Sequence, residues 1–151
     1  VADPIKIQVR AKILTALQGI SRGAGYHTDA GGNVQLTDKP VEQITKFPWL
    51  AIDLGTERRA GDLAGAKRRS RQEVVIKGWV KIAPGADVDL ALAELDADVK
   101  KAMLSNVTLG GTAILVMFEE TAPDYQALVE SGLGWIESTY FADFEWFASS
   151  P

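Results

Sequence analysis

The sequence predicts an α+β fold, a mainly antiparallel sheet with two main helices packed on one face, in a single domain over residues 1–151 with a long basic loop. Three observations predict it. Two segments repeat apolar residues at three- and four-residue steps, and several others alternate them at every second residue. Helical and extended segments do not alternate strictly, as they would in a parallel α/β protein. The 151 residues, 46% of them hydrophobic, are enough for one sizeable core and short of two.

The first helix follows Asp3-Pro4, which reads as an N-cap and a proline at the first helical position. Val9, Ile13, Leu17 and Ile20 form its apolar stripe, and Ser21-Arg22-Gly23-Ala24-Gly25 ends it. Tyr26 to Thr28 and Val34 to Leu36 are short β-prone pieces around a glycine-containing turn, read as a hairpin or as a strand and a turn. Phe47-Pro48-Trp49-Leu50 opens a strand running to Leu54. Glu73 to Ala83 is the clearest strand, with Val74, Ile76, Val80 and Ile82 on one face and Lys77, Trp79 and Lys81 on the other.

Pro84-Gly85 turns the chain, and Asp87 or Asp89 is placed to cap a second helix with the stripe Val88, Leu92, Leu95, Val99 and Met103. Leu109-Gly110-Gly111 breaks that helix. Thr112 to Phe118 is nearly all apolar, which predicts a central strand covered on both faces. Asp124 to Ser131 has the composition of one or two helical turns. In the last strand, Trp135 to Phe147, Ile136, Ser138, Tyr140, Ala142, Phe144 and Trp146 oppose Glu137, Thr139, Phe141, Asp143 and Glu145, so its acids share a face.

Composition narrows the function classes. No apolar run reaches the roughly 20 residues of a membrane-spanning helix, and Val1 to Arg10 lacks a secretory pattern, which predicts a soluble protein made in a cytoplasm. The absence of cysteine excludes disulfides, thiolate zinc sites and a cysteine nucleophile. The only histidine, His27, has no nucleophile elbow near it and one close ligand type, Asp29, so neither a catalytic residue nor a metal site is assigned. The glycine pairs lack the spacing of a dinucleotide or phosphate-binding loop, and no cofactor is expected.

Charge is unevenly distributed. All 16 Lys and Arg precede residue 102, while the seven charged residues after it are all Asp or Glu. Gly55 to Arg71 concentrates Arg58, Arg59, Lys67, Arg68, Arg69 and Arg71 against Glu57 and Asp62, with almost no large apolar side chain. That composition predicts an exposed basic loop that docks on an acidic surface. The acidic last third of the same chain offers one, in a ring of identical subunits joined head to tail. Nucleic acid is the weaker partner, because the segment has no interleaved aromatics and the chain's net charge is −4.

The order of elements resembles that of bacteriophage tail terminator, or tail completion, proteins. The resemblance rests on a first helix ending in a glycine turn, Gly25-Tyr26-His27-Thr28-Asp29 with Val34 soon after, and Phe47-Pro48-Trp49-Leu50. A long loop, the strand Glu73 to Ala83, a helix through Leu95 to Leu104 and Leu109-Gly110-Gly111 before a strand extend it. It implies a hexameric ring in the virion, at the head-proximal end of the tail tube. Such a ring stops tube growth, receives the head's connector or neck proteins and lets DNA slide through without sequence-specific binding. Glu119, Glu120, Glu137, Asp143 and Glu145 are then expected at a negative lumen or a subunit interface. Another neck or head-tail connector ring is the alternative, and a small nucleic-acid-binding protein using residues 55–71 a more distant one.

Overall fold

The computed structural model describes residues 2–36, 39–62, 65–113, 115–124, 132–149 and 151. Its elements are helix α1 (Ile5–Gln18), strands β1 (Val34–Gln35), β2 (Trp49–Asp62) and β3 (Lys67–Lys81), helix α2 (Val88–Leu104), and strands β4 (Leu115–Asp124) and β5 (Leu133–Phe147). The five strands form one sheet in the order β1-β2-β3-β5-β4. The β1/β2 pair is parallel and the other three are antiparallel. The α+β class and the antiparallel bias read from the sequence are therefore observed.

Both apolar stripes pack where their spacing points them. Val9, Ile13 and Leu17 of α1 and Leu92, Leu95, Val99 and Met103 of α2 are buried in one cluster with Leu50, Ile52, Val74, Ile76, Ile136, Tyr140 and Phe144 of the sheet. Burying each large apolar side chain is worth roughly 1.5–3 kcal/mol, so this layer dominates stability. Gly78 and Gly134 lie beneath α2. A Cβ on Gly78 would stand 2.9 Å from Leu95 Cδ2, and one on Gly134 2.8 Å from Leu92 Cδ2, so a side chain at either position would make those leucines shift.

Several expectations are corrected. Pro4 occupies the cap position of α1 with no side-chain cap, so Asp3 does not serve as one, whereas the Asp87 side chain does accept from Leu90 N at 3.1 Å. Tyr26 to Thr28 forms no strand, and the single short β1 pairs parallel with β2, so there is no hairpin there. Thr112 to Phe118 does not make a doubly covered central strand. Its strand starts at Leu115, runs to Asp124 and lies at the sheet edge, where Leu115 and Phe118 are exposed and only Val116 is fully buried among its described apolar residues. The central strands are β3 and β5. The helical turns expected after Asp124 fall on 125–131, outside the described residues.

The largest correction concerns Gly55 to Arg71. Gly55 to Asp62 and Lys67 to Arg71 are strand, so β2 and β3 make one long antiparallel pair instead of two short strands around a basic loop. Its inner face is polar yet anchored. Glu57 accepts from Ser70 Oγ at 2.8 Å and meets Lys6 of α1 at 3.3 Å, and Trp146 Nε1 donates to Ser70 Oγ at 2.8 Å. Buried Gln72 donates to the carbonyls of Gly55 and Glu73 at 3.0 and 2.9 Å.

Candidate assembly surface

The helices cover one face of the sheet, and the other carries most of the charged residues singled out in the sequence. Register places Arg69 opposite Glu145, Arg71 opposite Asp143, Lys77 opposite Glu137 and Val75 opposite Thr139 on that helix-free face. Basic hairpin and acidic strand are thus neighbours within one chain. Arg71 grips Asp143 with two hydrogen bonds of 2.8 and 3.0 Å and lies 5.8 Å from the Phe141 ring centroid. Glu145 receives Arg69 at 3.2 Å and Lys67 at 2.5 Å.

Electrostatics follow the geometry. Hydrogen bonds from Lys67 and then Arg69 hold the Glu145 carboxyl below its ordinary value, and the bond to Asp143 raises the Arg71 guanidinium further. Arg68 turns back to the carbonyls of Gly65 and Lys67, at 2.7 and 3.0 Å, and so tightens the hairpin end. Arg59 faces the helix side opposite Ser70, while Arg58 stands exposed on the helix-free face opposite Arg71. Of the remaining acids, Glu120 pairs in register with Thr139 on the same face, and Glu119 is the extra residue of a bulge in β4.

By register, the helix-free face brings together the cations Arg58, Lys67, Arg69, Arg71, Lys77 and Lys81 and the acid positions Asp53, Glu73, Glu120, Asp124, Glu137, Asp143 and Glu145, a nearly balanced set among the described residues. At its other end Trp79 stacks on Trp135, centroids 5.5 Å apart at 20°. Trp49, Ala51 and Ile44 close a small second cluster there with Phe47 and Trp79.

Sequence reasoning missed Asp98. This carboxylate is 1% exposed and accepts from His27 N at 2.9 Å, Thr28 N at 2.8 Å and Thr28 Oγ1 at 2.7 Å, fastening the segment after α1 to α2. The available signal was an aspartate three residues after Leu95 and one before Val99, on the apolar stripe itself. Asp96, a turn away from Lys100, accepts from Thr121 Oγ1 and Ser138 Oγ at 2.8 and 3.0 Å and joins α2 to β4 and β5. Among the described residues no group of three or more His, Asp or Glu side chains is placed to hold a metal. No described helix is long and apolar enough to cross a membrane.

The model of the bacteriophage tail tube terminator protein family matches residues 3–113, from α1 to the turn before β4. Among solved structures, one chain of the virion of a native gene transfer agent (GTA) particle superposes with a TM-score of 0.51 at 15% identity, over 90% of this chain and 93% of that one. That likeness is one of fold. No curated protein matches.

Proposed function

Because the chain belongs to the bacteriophage tail tube terminator family, we propose that it assembles as a hexameric ring on the head-proximal end of the tail tube, stops tube growth there and presents the surface that the head's connector proteins meet. The observation that carries this reading is the family match through α1, the β2–β3 hairpin and α2. The geometry supports it, since one sheet face is left without helices and both sheet edges are open among the described residues. In the ring, the helix-free face lines the channel. Its acids are nearly balanced by cations of the same chain, so the wall presents DNA with little net charge instead of a strongly negative lumen. The basic hairpin residues Lys67, Arg69 and Arg71 then stiffen the wall by internal pairing, and Arg58 stays available to a neighbour.

Electron microscopy of tails made with and without the protein tests this. Tubes lacking it should overrun their normal length and carry no heads, and the protein should appear once, as a ring, at the head-proximal end. Density at the distal tip, or repeated along the tube, would overturn the assignment.

A further inference from the structure

The sheet ends in two unlike edges. On one side β4 has a strand neighbour, β5, on only one flank. On the other, β1 pairs only with Leu50 and Ala51 of β2, so Gly55 to Asp62 has β3 on one flank and no described strand on the other. The two edges differ in charge. On the helix-free face the β2 edge carries Arg58, with Glu57, Arg59 and Asp62 at helix-side positions, and the β4 edge carries Glu120, with Glu119 in its bulge. Within its own sheet Arg58 faces another cation, Arg71, whose guanidinium is already engaged by Asp143. Glu120 is paired in register with the uncharged Thr139.

Resting on the ring reading above, we propose that successive subunits join through these edges, β4 of one copy pairing antiparallel with the distal half of β2 of the next, with Glu120 set against Arg58.

Direction, face and stagger agree with this contact. Each step β2-β3-β5-β4 is antiparallel, so β4 runs opposite to β2, and a rotated copy added to the open edge continues the antiparallel pattern. Arg58 and Glu120 both lie on the helix-free face, as cross-strand partners must. Arg58 is level with Asp143 and Glu120 with Thr139, four residues apart along β5. Bringing them together slides one copy by about 13 Å at roughly 3.3 Å per residue. The shift is even, which keeps every side chain on its face, and a sheet that closes on itself requires such a stagger. The competing role of these charges and of the bulges in both strands is to blunt the edges against pairing.

Charge exchange separates the two. Arg58→Glu and Glu120→Lys are made singly and together, with thermal melting as the check on folding and ring-bearing tails counted by electron microscopy. Both sites are exposed, so all three variants should melt like the parent. Each single change sets like charges opposite each other at every contact of the ring, and ring-bearing tails should fall by about tenfold. The double variant restores opposite charges and should recover them. Single variants that assemble like the parent, or a double variant that fails as the singles do, would overturn the edge contact while a ring formed by the parent protein leaves the terminator reading standing. A second measurement uses the absence of cysteine: Arg58→Cys with Glu120→Cys, oxidised on assembled tails, should give a ladder of covalently linked subunits. Monomer alone would count against this register.

Discussion

Asp98 and Tyr140 are two buried polar groups on which the same kind of truncation has opposite consequences. Asp98 satisfies three donors of the His27-Thr28 segment, so Asp98→Ala leaves buried N–H groups without partners and should cost at least about 2 kcal/mol in denaturant unfolding. An unchanged midpoint would show that water replaces the carboxylate. The Tyr140 hydroxyl is buried with no hydrogen-bond partner, so Tyr140→Phe removes an unsatisfied group and should leave stability within about 1 kcal/mol of the parent or raise it. Burial, and secondarily the charge of Asp96, push the Tyr140 phenol above its ordinary value. The native state therefore holds this proton more tightly than the unfolded chain does. The stabilisation is complete below the unfolded value, about 10, and is lost as pH rises towards the folded one. Tyr140→Phe should accordingly flatten the alkaline decline in melting temperature, and an equally steep decline would place its origin elsewhere.

The hairpin shows what the sequence made legible at the scale of elements and what it hid. Helix α2 and the proximal half of β3 were readable because their inward faces are apolar, Asp98 of α2 apart, and fix a period. Beyond Leu54 the inward residues become Glu57 and Ser70, whose partners are each other, Lys6 and Trp146, and Gln72, which donates to backbone carbonyls, so the strand continues without the alternation that betrays strands. Basic composition then reads as loop. The exposed β4 edge was misread for the converse reason, since apolar residues on an uncovered face look like a buried run. Among the site residues, both the acidic face of β5 and the basic stretch were visible, but their union depends on a register that only the fold supplies. If Ser70 anchors the hairpin as its contacts indicate, Ser70→Ala orphans Trp146 Nε1 and one Glu57 oxygen and should cost about 1–3 kcal/mol. Amide exchange should then quicken in the distal half of β2 ahead of the proximal half, and uniform exchange along the hairpin would deny the anchor. Acid acts on the same element. Because Lys67 and Arg69 hold the Glu145 carboxyl low, its contribution is present above the unfolded value of about 4.3 and is lost as pH falls through the folded one. Glu145→Gln should lower stability at neutral pH and flatten the decline below about pH 5, and an identical acid profile would show the pairing to be energetically silent.

At the scale of the whole molecule, the nearly balanced charge of the helix-free face is the property that matters if, as proposed, this face lines a channel for DNA. A positive wall would hold phosphates, since each neutralised phosphate releases counterions and strengthens binding. Glu73 and Glu137 stand on this face, next in register to Phe141 and Lys77, and neither is on the edges proposed to join subunits. Replacing both with lysine shifts the wall by four charges per subunit without touching the core. Particles carrying Glu73→Lys with Glu137→Lys should still assemble, with tails of normal length and joined heads, because the edges and helices are intact. DNA release should slow, and added salt should restore it, since screening weakens phosphate contacts. Lysines placed instead at Asp89 and Glu94 on α2 give the same change in net charge on the helical layer and should leave release unchanged. Equal slowing by both pairs would show that net charge alone matters, and no slowing by the first would mean that this sheet face does not line the channel.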